Sequence, residues 1–323
     1  MNLSSKQAVD VLRAAGEPTR LRILALLDKE ELAVLELCRV LDQSQPRVSR
    51  HLKLLSEARL VERFPDGAWV FYRLAASGEP AAMVREVLRR VKLDDGDLKR
   101  DRDRLDAVQA ERQAEASAYF AENAEQWDEL RALYVEDSAV EQAILQAVGK
   151  GPFKRLVDLG AGTGRMLALL APRSDRALGL DLSQQMLNLA RRRAVAAGLT
   201  HVELRHGDIF DPGLEAHSAD LVVVHQVLHF LGDPAAAVKA SSRLVSKDGR
   251  LVIVDFAPHR LEFLREQHKH RRLGFSNEEV TRWLGEAGLH HVDLTVLPPN
   301  RSDGLTVKVW VATREMTIQR SAR

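Results

Sequence analysis

The chain has 323 residues, 45% of them hydrophobic and 29% charged, and a net charge of +1. That length holds two domains with separate cores, and the charge balance gives no global pull toward a polyanion, so any nucleic-acid contact must come from a local basic face. No apolar run approaches a membrane span, the first residues read as an amphipathic helix without the parts of an export signal, and the one cysteine, Cys38, excludes an internal disulfide and a thiolate-rich metal site, so a reducing cytoplasm is the expected compartment.

Pro18 opens a helix, since proline is tolerated in a first turn, and Leu21, Leu24 and Leu27 give it a core-facing stripe. A second helix carries Val34, Leu37 and Leu41 on one side. The turn Asp42-Gln43-Ser44 follows, with Ser44 as N-cap and Pro46 in the first turn of a third helix. Val48, Leu52 and Leu55 share one face of that helix. The opposite face carries Ser49, Arg50 and Lys53, with Arg47 and His51 at its edges and Gln45 at its start. Donors on the outer face of a helix that follows a helix and a tight turn fit a recognition helix in the major groove. Arginine binds guanine bidentately, whereas lysine and serine suit phosphates. Leu60 to Arg63 reads as a strand, Phe64 to Ala68 as a turn and Trp69 to Leu74 as a return strand. This hairpin is a wing, from which Arg63 and Arg73 reach phosphates.

Glu17-Pro18-Thr19-Arg20-Leu21-Arg22-Ile23-Leu24, Ser49-Arg50-His51-Leu52-Lys53 and Leu60-Val61 resemble the ArsR/SmtB family of winged-helix repressors, over roughly the first 75 residues. The resemblance implies a homodimer on double-stranded operator DNA of two-fold symmetry, with Val9 to Ala15 and Val84 to Val91 supplying the interface helices. Arsenic-sensing members carry paired cysteines in the helix before the recognition helix. Here Leu35 to Leu41 holds Cys38 alone, where a soft metal needs about three thiolates. Cys38 is therefore read as a small buried residue, and no metal is expected.

Lys92 to Ala118 is dense in charge, breaks at Asp94-Asp95-Gly96 and continues as a long helix with Leu98, Leu105 and Val108. Its apolar seam fails at Arg112, which favours a solvated connecting helix over a coiled coil. The expected division is a DNA-binding and dimerisation domain over 1–91, a linker over 92–118 and a second domain over 119–323.

From Lys154 onward, strand runs alternate with helices, the signature of an α/β fold with a parallel sheet. Arg155 to Leu159 runs into Gly160-Ala161-Gly162-Thr163-Gly164, and then into a helix with Met166, Leu167 and Leu170. The Gly-x-Gly-x-Gly spacing differs from a dinucleotide site, and without a Gly-Lys-Ser/Thr ending it is no P-loop. The next strand, Ala177 to Leu180, ends in Asp181, which can accept both ribose hydroxyls of an adenosine. Ser183 and Met186 begin a helix, and His206-Gly207-Asp208-Ile209 follows a third strand, where an acid can accept from an adenine amino group. Ala219 to Val224 and Gly249 to Phe256 are a fourth and a fifth strand. Acids at the carboxyl ends of successive strands share one crevice at the switch point of an open sheet.

Val157 to Gly164, Leu180-Asp181-Leu182-Ser183 and Gly207-Asp208 resemble class I S-adenosylmethionine (SAM) methyltransferases, from about Tyr119 to Thr313. The resemblance implies a winged helix-turn-helix followed by a Rossmann-like sheet. An antiparallel hairpin closes that sheet, Val292 to Leu297 and Thr306 to Thr313 joined by Pro298-Pro299-Asn300-Arg301-Ser302-Asp303-Gly304, after a helix over Ser276 to Ala287. It further implies a cofactor site from Asp158, Gly160, Ala161, Gly162, Gly164, Asp181, Leu182, Met186, Gly207, Asp208, Ile209 and His225, with S-adenosylhomocysteine (SAH) as product. Asp158 serves equally well as a packing support of the loop.

The fourth strand leads into His225-Gln226-Val227-Leu228-His229. No Asn/Asp-Pro-Pro-Tyr/Phe follows, so the signature for methylating DNA bases is missing. By likeness to small-molecule O-methyltransferases His229 is the base candidate, against a plain hydrogen-bonded histidine on a helix. After the fifth strand, His268 and Arg271 share one helix face in this reading and bind an acidic group. Glu262 and Glu266 with the histidines offer a hard metal site as a further option, and a charged surface helix is the plain alternative. Three functions stay open: a repressor with a working methyltransferase for a small-molecule acceptor, a repressor that senses SAM or SAH without turnover, and an O-methyltransferase whose winged helix serves only dimerisation.

Overall fold

In the computed structural model, described over residues 3–92, 94, 96–127, 137–149, 151–299 and 304–314, the chain divides into two units, Met1–Ala114 and Glu115–Arg323. Asp95 of the expected break and Asn300 to Asp303 of the expected connection lie outside the described residues. No described helix is long and apolar enough to cross a membrane.

The first unit starts with α1 (Ser5–Ala15), whose entry is fixed by a reciprocal cap between Ser4 and Gln7. Pro18 is the first residue of α2 (Pro18–Leu27), and the Glu17 carboxylate accepts from the Arg20 N–H at 2.9 Å. Helix α3 (Val34–Leu41) ends on Asp42 in the left-handed region (φ 55°), which turns the chain sharply into α4 (Gln45–Glu57). Val48, Leu52 and Leu55 are fully buried, as the spacing requires. They meet Ile23, Leu24, Leu37 and Leu60 in one core. Each such side chain contributes about 1.5–3 kcal/mol by leaving water.

Strand β1 (Leu32–Ala33) pairs with β3 (Trp69–Leu74), which pairs with β2 (Val61–Asp66), giving the sheet order β1-β3-β2. The hairpin is longer than the sequence reading had it. The ladder continues through Phe64↔Phe71 to Asp66↔Trp69, so only Gly67 and Ala68 turn. Stacked Phe64 and Phe71 rings, 5.9 Å apart, reward that extension. Helix α5 (Glu79–Arg90) buries Val84 and Leu88 in the same core.

Helix α6 (Gly96–Asn123) also differs from expectation. The segment read as a solvated connector puts Leu105 and Val108 into the first unit's core. Asp101 is buried there and takes two hydrogen bonds from Arg22, at 2.6 and 2.7 Å. A fork-on-carboxylate pair anchors this helix where its apolar seam is thin. Cys38 is half-buried at the edge of the core, not fully buried, and desolvation raises its thiol pKa.

The second unit is built on one seven-stranded sheet in the order β6-β5-β4-β7-β8-β10-β9. The strands are β4 (Phe153–Leu159), β5 (Ser174–Asp181), β6 (Val202–His206), β7 (Ala219–His225), β8 (Val245–Phe256), β9 (His291–Leu297) and β10 (Val307–Thr313). Pairing is parallel from β6 across to β8, and the closing β9–β10 pair is antiparallel. Side chains alternate faces with period two. Leu156, Val223, Val252 and Val309 pack on one side, Val157, Val222, Ile253 and Trp310 on the other. Both faces are covered, which is why these strands read as continuous apolar runs. The chain leaves β4 toward β5 on one side and returns to β7 on the other, so the crevice opens at the carboxyl end of β4.

Candidate functional site

The residues singled out from the sequence fall in two places among the described residues, one in each unit. In the first, Gln45, Arg47, Ser49, Arg50 and Lys53 are all exposed on α4, and Arg63 is exposed on the wing. Two residues expected beside them are turned away. His51 is half-buried with Nδ1 3.4 Å from the Glu17 carboxylate, and burial lowers its pKa. Arg73 is held by two hydrogen bonds to Glu62, at 2.8 and 2.6 Å, and one to Glu31 at 3.1 Å. Cross-strand register explains the second correction. Glu62 lies opposite Arg73 in the hairpin, so the guanidinium closes on the sheet's own acid instead of reaching outward.

In the second unit, the segment between β4 and α8 (Arg165–Leu170) is the glycine loop. Gly160, Gly162 and Gly164 all have positive φ, at 76°, 52° and 80°. A Cβ on Gly160 would stand 2.4 Å from Val227 Cγ2, so this glycine exists to let the loop after β7 pack down. A Cβ on Gly162 would meet nothing within 4 Å, and its N–H donates to Asp181 Oδ2 at 2.8 Å. Gly162 thus borders free space on a loop tied to the second strand. Asp181 Oδ1 accepts from the Ser183 N–H at 2.8 Å. Ser183 in turn caps α9 (Gln184–Ala196) through the Met186 N–H, and Met186 is buried. Burial pushes the Asp181 pKa up while the backbone N–H groups of Ser183 and Gly162 pull it back. Each oxygen retains a second lone pair for a ligand hydroxyl.

Around this loop, Leu182 and Phe210 are exposed and Ile209 is buried beside Asp208. Asp208 Oδ1 accepts from the Phe210 N–H at 3.0 Å, and Gly207 donates to the Asp181 carbonyl. Ala161 is packed in the core, and His225 is half-buried at the end of β7. Asp158 stands apart from the others. It is 1% exposed, neither oxygen has a hydrogen-bond partner among the described residues, and burial, then repulsion from Asp181, pushes its pKa up to about 8. An orphaned buried acid and a glycine facing open space together fit a small cationic molecule with a sugar-like diol. Adenosyl sulfonium is one.

Past β7, Gln226 is buried with φ 54°, a conformation rare outside glycine, and its N–H bonds the Val254 carbonyl at 2.7 Å. That strain holds the turn leading to His229. His229 is 2% exposed, with Nδ1 2.8 Å from Asp255 Oδ1. Oδ1 also accepts from the Phe256 N–H at 2.8 Å, so it faces His229 as an acceptor and Nδ1 is the donor between them. His229 lines a pocket with Tyr119, Trp127, Phe230, Phe256 and His270. The His270 ring lies tilted against His229, centroids 4.2 Å apart, and burial with neighbouring histidines drives its pKa far down. His268 reaches the same cavity through Nδ1, 2.7 Å from the Tyr119 hydroxyl. Arg271 does not share its helix. Helix α11 (Phe263–His268) ends on Lys269 in the left-handed region, and the Arg271 N–H instead donates to the His229 carbonyl at 2.8 Å. Among the described residues no group of three or more His, Cys, Asp or Glu is placed to hold a metal ion.

Asp255 and the aromatic wall were missed from sequence. Asp255 had a signal, a single acid inside the apolar run Leu251 to Phe256. Tyr119 and Trp127 had none, because they come from a helical stretch far ahead of the sheet in the chain.

Comparison with known proteins matches both places. Residues 17–63 fit the model described as "Bacterial regulatory protein, arsR family", and residues 157–253 fit the model described as "Methyltransferase domain". The arsenical resistance operon repressor of Escherichia coli is 46% identical over 21% of this chain and 58% of its own length. A ubiquinone biosynthesis O-methyltransferase of Leptothrix cholodnii is 32% identical over 41% of this chain and 58% of its own length. An uncharacterised 37.1 kDa protein in transposon TN4556 of Streptomyces fradiae is 37% identical over 35% of this chain and 33% of its own. The chain thus spans well under two thirds of each of these relatives. A solved complex of the Haloferax volcanii Trm112 methyltransferase activator and a methyltransferase matches 61% of this chain and 98% of that one, with TM-score 0.50 and 20% identity, a likeness of fold.

Proposed function

We propose, from a chain that carries an ArsR-family helix-turn-helix domain at its N-terminus and a methyltransferase domain at its C-terminus, that it is a transcriptional repressor whose second domain binds SAM and methylates a small-molecule acceptor. In this reading α4 enters the major groove. Arg50 reads a base edge, Gln45, Arg47, Ser49 and Lys53 hold phosphates and base edges around it, and Arg63 grips the backbone from the wing. Helix α1 leaves Val9 and Leu12 exposed at 44% and 50%, a face suited to a second copy on an operator of two-fold symmetry.

In the crevice, Asp181 accepts the ribose hydroxyls, Asp208 the adenine amino group, and Gly162 lets the backbone come close. SAM, when bound, supplies an electrophilic methyl group on sulfur. The chain's own part is to hold an acceptor in the aromatic cavity and take its proton on His229 Nε2, with Asp255 steadying the imidazolium that forms. One observation carries the reading: Val227, two residues before His229, packs directly on Gly160, so the base candidate and the glycine loop belong to one construction.

The test is a mobility-shift titration of the duplex upstream of the protein's own gene, with and without SAM or SAH, alongside an assay for SAH release. Sequence-specific binding that changes with ligand is expected. Absence of specific binding at every ligand concentration would remove the regulator. A ligand effect on DNA without SAH release from any acceptor would leave a sensor. Asp181→Ala should abolish ligand binding while far-ultraviolet dichroism stays unchanged.

A further inference from the structure

Helix α6 is the described element that has residues in both units. Its first part grips the end of α3. Arg104 donates to the Val40 carbonyl at 3.2 Å, and Arg22, which holds Asp101, also donates to the Leu41 carbonyl at 3.2 Å. These carbonyls stand in the last turn of α3, just before Asp42 turns the chain into α4. Arg112 then pairs with Glu36 at 2.6 Å, and Glu111 with Arg39. The last part of α6 supplies Tyr119 to the aromatic pocket. The Tyr119 hydroxyl meets His268 Nδ1 at 2.7 Å, and Lys269 pairs with Glu115 at 3.2 Å. Phe120 rests edge-on against Phe230 and Trp127, with centroids 4.9 and 5.1 Å away. Between Arg112 and Tyr119 lie six residues, Gln-Ala-Glu-Ala-Ser-Ala, without the glycine or proline at which helices kink. They span only about 10 Å of helix axis.

We propose that α6 couples the aromatic pocket to the DNA-reading helix: an uncharged aromatic molecule that fills the pocket shifts Tyr119, and α6 carries the shift to the turn between α3 and α4, so that operator affinity reports what the pocket holds. The inference rests on the regulator reading above. The class of ligand follows from the lining. Tyr119, Trp127, Phe230 and Phe256 offer ring faces and edges, and none of the described lining residues is an acid, a lysine or an arginine. A carboxylate, phosphate or ammonium loses its water there without gaining a counter-charge, whereas a flat aromatic alcohol buries its ring and gives its hydroxyl to an imidazole. A ligand moves an equilibrium only by binding its two states unequally. Tyr119 meets that condition, because it walls the pocket and belongs to the helix that moves. At the other end, a displaced α6 loosens Arg104 and Arg22 from the Val40 and Leu41 carbonyls, which stand where the chain turns into α4.

The experiment is a linkage measurement on the full chain with 2-naphthol as the probe and no SAM added, so that no methyl transfer occurs. Calorimetry gives 2-naphthol affinity with and without the duplex upstream of the protein's own gene, and fluorescence anisotropy gives duplex affinity with and without 2-naphthol. Each should change the affinity of the other by the same factor, at least about fivefold. Ala114 is exposed, between the two attached parts of α6. Ala114→Pro interrupts the helix there, so each ligand should still bind alone while the factor falls to about one. Amide hydrogen exchange of the wild-type chain without DNA needs no variant, and 2-naphthol should alter it at residues 40–44. Failure of 2-naphthol to bind, a factor below about twofold, unchanged exchange at residues 40–44, or a factor that survives in Ala114→Pro overturns the proposal. A duplex that never binds specifically brings down the regulator reading instead, and the exchange result then decides by itself whether the pocket reaches the turn.

Discussion

The scaffold under α4 in the first unit and the glycine loop in the second treat buried acids in opposite ways. In the first, Asp101 meets the Arg22 fork and Glu31 meets Arg73, while Arg47, Arg50 and Lys53 stay in water. In the second, Asp158 has no hydrogen-bond partner among the described residues and Asp181 is held by backbone N–H groups. In the proposed reading the difference follows from what each surface has to meet. A face for a polyanion works from solvent, where its cations are hydrated and ready, and its supporting scaffold gains by closing its own ion pairs. A buried crevice has no hydrated cations at hand, so its acids rely on backbone N–H groups or keep their protons.

The sharpest way to break this comparison is at Asp158. Folded, the carboxyl holds its proton up to about pH 8, whereas unfolded it loses it near its ordinary value of 3.8. Between those values the folded chain carries the extra proton, so raising the pH lowers stability, by at most on the order of 5 kcal/mol across the window. Asp158→Asn should flatten that fall, read as denaturation midpoints of the ligand-free protein from about pH 5 to 8. A wild-type midpoint that rises over the same range would show that the acid is paired after all.

Next in size is Asp101→Ala, which strands the Arg22 guanidinium and should cost about 3 kcal/mol in urea unfolding. Arg39 pairs with Glu111 at the surface, and Arg39→Ala should cost below about 1 kcal/mol. Equal losses at both positions would erase the contrast drawn between buried and exposed pairs. Arg50→Ala should weaken operator binding by roughly 1–3 kcal/mol and relax the preference for one base pair, measured by fluorescence anisotropy against point-substituted duplexes. Unchanged affinity would mean that α4 is not docked. The smallest effect is expected at Lys53. Lys53→Ala should weaken all duplexes alike and lower the slope of log affinity against log salt by about 1.

Much of this was open to reading in one dimension. Period-3.6 stripes gave α2 to α4, and the apolar runs with their glycine spacing gave the strand order's starting point and the loop. Both motifs are local in the chain, so composition and spacing carry them. What failed were statements about where a long side chain ends. His51 and Arg73 look like neighbours of Arg50 and Arg63 in sequence, but Glu17, Glu62 and Glu31 arrive from other elements and capture them. His268 and Arg271 look like one helix face, but the helix stops at His268.

The sequence alone therefore determined the two folds and the positions of α4 and the glycine loop. Helix and strand periods and turn residues act over a few positions, and a short stretch of chain contains all of them. Only the tertiary structure decided that Asp255 holds His229, that Tyr119 and Trp127 wall its pocket, that α6 docks through Asp101, and that Asp158 has no hydrogen-bond partner among the described residues. Pairing and its absence are properties of atoms brought together from distant parts of the chain, and burial sets how strongly each is felt.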